Sequence, residues 1–293
     1  MGDLLRAIVE PGFFGSAPVH VALLVGGVVA VVSGIVGTFT VMRGQSYAGH
    51  ALADISVTGG SGSFLIGISP LWGFAGTSVA AAGVMDLIGV RRPRGRDLAT
   101  GIVRGAGLGL GALFLYWDTT HTSTTGATIT ILFGSMFTID SSVIPVVAAF
   151  GLAAVGIVAV LYRPLLLSSV SSDLAVVRGI RVRTTGALCL GAIALAVSLS
   201  ALTIGAILST ALLVGPAATA MRLTARSGLA MIWSALIGLA ATWLGILLAF
   251  DSYYWPPARQ GWPVSFFVVA LVLLFYLLTL MRPPARGARP GRG

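Results

Sequence analysis

The sequence predicts an all-α, polytopic integral membrane protein of about nine transmembrane helices (eight to nine), with its N-terminus outside and its C-terminus in the cytoplasm. Three observations carry that prediction. The 293 residues are 56% hydrophobic and only 9% charged, where a soluble domain carries about 25% charged residues. Long apolar runs recur along the whole chain, and about 20 such residues cross a bilayer. Lysine is absent, and the arginines fall almost entirely at one set of ends of those runs. Cationic ends on alternating connections mark a defined orientation.

The first run, from about Val19 to Val41, is long enough to span. No small-residue cleavage site follows it, so it reads as a retained helix rather than a signal peptide. Nine segments follow the same rule, at roughly 19–42, 46–68, 70–90, 98–116, 141–162, 184–200, 203–222, 228–250 and 263–281. Gly59-Gly60-Ser61-Gly62 interrupts the second, and the sixth and seventh run nearly together through Ser198–Thr203. The stretch Gly126–Thr138 is too short to span and predicts a re-entrant or surface helix, buried against protein rather than lipid.

Nine spans place fifteen arginines on one side: Arg43, the group from Arg91 to Arg96, Arg163, Arg178, Arg181, Arg183, Arg222, Arg226 and the four from Arg282 to Arg292. Only Arg6, Arg104 and Arg259 fall elsewhere. An error of one helix would scatter the set over both sides. The chain reads as a single transmembrane domain over 1–293, with 282–293 a disordered basic cytoplasmic tail. Gly101, Gly105 and Gly109 have the small-xxx-small spacing that lets membrane helices approach closely.

Composition also excludes functions. A P-loop needs a lysine for the outer phosphates of a nucleotide, so that ATP site is absent. The net charge of +9 reads as topology and anionic-lipid contact, because no polar domain is present to hold nucleic acid. The lone Cys189 lies in an apolar run and supports neither a disulfide framework nor a thiolate metal cluster.

Ionisable residues inside a membrane are costly and are candidates for function. His50 and Asp54 lie four apart, on one face of the second helix. Imidazole with carboxylate suits a first-row transition metal; a helix-steadying hydrogen bond accounts for the same spacing. Asp86 and Arg104 lie toward the cytoplasmic ends of segments three and four and read as a structural ion pair. His20 and His121 sit at or beyond outer edges and read as solvated. In the long cytoplasmic loop, Pro164 is expected to end one helix. Ser171, Ser172, Asp173, Leu174, Arg178 and Gly179 then form a short amphipathic turn, acid first and arginine last, as the helix dipole prefers. Such an element fits docking of a cytoplasmic partner or a plain surface helix.

These pieces resemble one family over about residues 19 to 281: the membrane permease subunits of ABC-type transporters for zinc, manganese or iron(II). Family members have a stretch R-x-x-S-x-x-G-D-A-x-x-H-A. This chain has Arg43-Gly44-Gln45-Ser46-Tyr47-Ala48-Gly49-His50-Ala51-Leu52-Ala53-Asp54. The family's G-x-L-L-x-x-A-L-L-x-x-P-A-A-T-A-R pattern is similar to Gly205 through Leu212-Leu213, Pro216-Ala217-Ala218-Thr219-Ala220 and Arg222. Leu132-Phe133-Gly134-Ser135 and Arg163-Pro164-Leu165 also resemble the family. One departure concerns the second helix: the family has Asp then His, and here His50 and Asp54 exchange places.

The resemblance implies a multi-pass permease of the bacterial plasma membrane, with His50 and Asp54 on a metal path. It implies two copies facing each other, a separate cytoplasmic ATPase subunit and an extracytoplasmic metal-binding protein. The chain itself would be no enzyme and hold no resident cofactor, since the metal (zinc or manganese) is cargo. Docking of the ATPase falls to Ser171–Gly179, where family members often carry more acid. Two other readings stay open: a stand-alone secondary transporter or channel, and a permease for a metal chelate. The first needs a relay of several Asp, Glu or His, and only His50, Asp54 and Asp86 are available. The second needs a wide path, and its characteristic elements are absent.

Overall fold

The computed structural model of the chain describes residues 13–89, 93–122, 125–134, 136–255 and 261–281. Among them are twelve α-helices and no strand: α1 (Ala17–Met42), α2 (Ser46–Leu65), α3 (Pro70–Gly89), α4 (Pro93–Trp117), α5 (Thr125–Phe133), α6 (Ile144–Val160), α7 (Tyr162–Val170), α8 (Ser172–Val177), α9 (Val182–Ile204), α10 (Ser209–Leu223), α11 (Ser227–Ser252) and α12 (Val264–Leu280). Nine of these have 15 or more residues, and they fall on the nine apolar segments of the sequence. Five helices among the described residues are long and apolar enough to cross a membrane by length and composition alone. Stretch 282–293, Arg6, Arg91, Arg92 and Arg259 lie outside the described residues.

Helices α1 and α9 form the centre. Their apolar stretches are 61% and 67% buried, against 22% for the segment containing α6. A peripheral helix instead turns residues such as Leu152 and Val160 outward. Lipid tails are as apolar as leucine, so burying leucine cannot by itself drive helices together; close backbone contact and interhelical hydrogen bonds must. Both are present. The Ser33 and Ser200 hydroxyls meet at 2.8 Å between α1 and α9. Thr58 donates from α2 to the Gly107 carbonyl of α4 at 2.9 Å, and Ser198 donates from α9 to the Phe74 carbonyl of α3 at 3.0 Å.

The glycine cluster of α2 does not interrupt the helix. Gly59 faces Gly73 of α3 so closely that a Cβ on either would overlap the other's carbonyl. Gly60 receives the Phe74 ring in the same way. The apparent helix breaker is therefore a packing surface. The stripe Gly101, Gly105 and Gly109 has nothing within 4 Å of its would-be Cβ positions. Close approach on α4 uses the other face, where Gly107 and Gly111 meet Ile55 and Val57 of α2.

The break between the sixth and seventh segments also lies elsewhere than expected. Helix α9 continues through Ser198–Thr203 to Ile204, and the chain turns at Gly205 with φ +86°. A side chain there would meet the Leu132 carbonyl as well as strain the backbone. Helix α5 covers this break. Ala206 donates its N–H to the Ile131 carbonyl at 3.0 Å, and Ile131 is fully buried. The short Gly126–Thr138 stretch thus supplies protein cover and a hydrogen-bond partner to non-helical backbone, which lipid cannot do. Helix α10 then has only 15 residues and rises about 22 Å, short of the roughly 30 Å hydrocarbon core.

Candidate translocation site

The first turns of α2 place Tyr47, His50 and Asp54 on one face, since successive steps of three and four residues each make about one turn. His50 is exposed, and its Nδ1 lies 3.1 Å from the Thr210 hydroxyl. Thr210 sits in the first turn of α10, which the break at Gly205 brings to this depth. When Nδ1 carries the proton and donates it to Thr210, Nε2 presents its lone pair to the open side.

Asp54 is half-buried, and its Oδ2 accepts from Arg104 Nε of α4 at 2.6 Å. The Arg104 guanidinium also lies 5.7 Å from the centre of the Tyr47 ring. The expected pair between Asp86 and Arg104 is not formed. Helix α4 packs along α2, which turns Arg104 toward Asp54. Helix α3 packs along α9, so Asp86 faces Arg183, at 3.8 Å. Arg183 is largely exposed there, and such a pair contributes about 0–1 kcal/mol.

The structure therefore brings His50 and Asp54 to one face and adds Tyr47, Arg104 and Thr210, which sequence reasoning did not join to them. The spacing of Tyr47 was legible; the partners from α4 and α10 were not. The charges of Asp54 and Arg104 cancel. Among the described residues no three His, Cys, Asp or Glu side chains gather closely enough to hold a metal ion. What this face offers is one imidazole bonded to Thr210 and one carboxylate already engaged by Arg104.

The second element is the connection from α6 to α9. Pro164 does not end a helix. It lies in the first turn of α7, where a missing N–H breaks no bond; α6 stops at Val160 and the chain bends at Leu161. Ser171 caps α8 by accepting from the Leu174 N–H at 3.3 Å, with Asp173 in the first turn. Gly179 ends it at φ +75°, while the Gly179 and Ile180 N–H groups close on Val176 and Ala175. Ala175 is buried beneath, and Leu174, Val176 and Val177 stand exposed, Val177 at 83%. Asp173 and Arg178 are exposed beside them. Arg43, at the end of α1, donates to Ser168 of α7 at 2.6 Å and ties this element to the entry of α2.

Residues 18–282 match the model of the ABC 3 transport family. The chain belongs to that family. It is a permease subunit of an ABC-type transporter and a multi-pass bacterial membrane protein. It is 29% identical over 215 residues to the manganese transport system membrane protein MntC of Listeria innocua, covering 73% of each chain. It is 29% identical over 198 residues to the manganese import system permease protein ScaB of Streptococcus parasanguinis, covering 67% of this chain and 69% of the relative. Its fold is similar to PsaBC from Streptococcus pneumoniae in complex with Fab, with a TM-score of 0.78 and 26% identity over 93% of this chain and 94% of the other.

Proposed function

We propose that this permease carries a divalent transition metal ion, manganese before zinc, into the cell along a path that includes His50 and Asp54. The observation that carries the reading is the stacking of an imidazole and a carboxylate on successive turns of α2, in a chain nearly free of intramembrane charge. The names of the relatives favour manganese, and the hard oxygen and imidazole donors, without thiolate, agree with it. Two copies of the chain would face each other and complete the coordination that one copy leaves open. Hydrolysis would take place on a separate ATPase, docked at α7 and α8 through Ser171, Ser172, Asp173, Leu174, Arg178 and Gly179. An extracytoplasmic binding protein would deliver the ion. The arginine distribution favours an external N-terminus and a cytoplasmic C-terminus.

The test is metal accumulation in cells with and without this chain, with manganese and zinc measured in parallel. The reading expects manganese uptake to depend on the chain and on an intact Asp54. Equal uptake in both strains would sink it. A reporter fused near Thr122 that reads cytoplasmic would sink the orientation.

A further inference from the structure

We propose that Arg104 is a tethered cation that competes with the transported ion for Asp54, so that the α2–α4 ion pair and cargo occupancy exclude each other. The inference rests on the proposed role of Asp54 as a ligand and goes beyond it. Arg104 Nε holds Asp54 Oδ2 at 2.6 Å, the distance of a strong charge-assisted hydrogen bond. A divalent ion on that oxygen would stand beside a fixed positive charge, so the guanidinium must leave for the ion to bind well. The pair is reachable: the Arg104 side chain is 39% exposed and that of Asp54 19%.

The arginine also has a second hold that does not depend on the carboxylate. The Tyr47 ring lies 5.7 Å from its guanidinium carbon, one turn before His50 on the same face. A cation over an aromatic ring is stabilised without a carboxylate. Arg104 can therefore release Asp54 and keep its hold on Tyr47 when an ion arrives at Asp54 and His50, and close on Asp54 again as the ion departs. The returning guanidinium displaces the ion from Asp54, which keeps a carboxylate site from becoming a trap. Meanwhile α2 and α4 stay joined by the Thr58–Gly107 bond, so only the polar end has to rearrange.

The size of the effect follows from occupancy. A pair closed for about nine-tenths of the time leaves one-tenth of Asp54 sites competent and weakens apparent binding about tenfold. The experiment uses the whole transporter, permease with its ATPase, in lipid nanodiscs, with Mn²⁺ alone as the probe. Equilibrium binding and uptake kinetics are read for wild type, Arg104→Gln, Arg104→Met and Asp54→Asn. Two uncharged replacements of similar length guard against one that assembles poorly. Competition expects the Arg104 variants to bind Mn²⁺ about tenfold more tightly and to lower both KM and kcat, because entry is easier and release slower. Placing Asp54→Asn in the Arg104→Gln background should abolish the gain. Unchanged or weaker binding in both Arg104 variants, with Asp54→Asn defective, would overturn the competition and leave the metal path standing. Wild-type binding and uptake in Asp54→Asn would overturn both.

Discussion

The two halves of α2 meet their neighbours in different ways. From Gly59 to Ser63 the backbone of α2 itself is the packing surface: Gly59 lies against the Gly73 backbone, Gly60 takes the Phe74 ring, and the Ser63 hydroxyl bonds back to the Gly59 carbonyl within its own helix. From Tyr47 to Asp54 the contact is side chain on side chain, through Thr210 and Arg104, which reach in from α10 and α4. A surface of glycine backbone has one geometry and does not adapt. Long polar side chains have several, and can exchange a partner for an ion. The proposed metal path would use both, a fixed end to keep register and an adaptable end to meet the ion.

Substitution at the fixed end should have the largest effect. Gly59→Leu places carbon into the Gly73 carbonyl and the Thr77 hydroxyl, an overpacking that no rotamer relieves. We expect loss of folded protein from the membrane, read by immunoblot and by detergent gel filtration. A normally abundant, monodisperse variant would break the contrast. At the adaptable end, His50→Ala and Asp54→Ala should each abolish metal uptake while the protein still inserts and assembles. The double exchange His50→Asp with Asp54→His, which restores the order usual in the family, should keep part of the activity. Wild-type uptake by the alanine variants at normal abundance would return the pair to a helix-steadying role.

Smaller effects belong farther from α2. Asp173→Arg, or removal of Leu174–Arg178, should leave the permease folded but uncouple it from the ATPase, seen as lost co-purification and lost stimulation of hydrolysis. Untouched coupling would remove the docking assignment. Smallest of all is Arg183→Ala. Its partner Asp86 lies 3.8 Å away and the side chain is largely exposed, so thermal stability should change by less than about 1 kcal/mol. A larger loss would show that the α3–α9 contact depends on charge.

The family and the helical framework were legible because both depend on local pattern. Apolar runs of membrane length and arginines at one set of ends survive any detail of packing. The segments around Arg43–Asp54 and Gly205–Arg222 could be read directly for the same reason. Partnership between distant residues could not. Asp86 and Arg104 look matched when only their depth is considered, yet the packing of α4 on α2 and of α3 on α9 sends each to a different partner. Glycine misled in both directions: Gly59-Gly60 looked like a breaker and is a tight seam, whereas Gly101, Gly105 and Gly109 looked like a seam and face open space.

The sequence alone determined that this chain is a helical membrane protein of the ABC permease kind, since hydropathy, charge sidedness and contiguous motifs are written in adjacent residues. It also determined that His50 and Asp54 share a face, because four residues bring a helix round by about one turn. Only the tertiary structure decided what that face meets. The turn at Gly205 delivers Thr210 to His50, and the glycine-lined contact of α2 with α4 delivers Arg104 to Asp54. Both deliveries follow from helix rotation and depth, which are set by how whole surfaces pack and have no trace at the spacing of neighbouring residues.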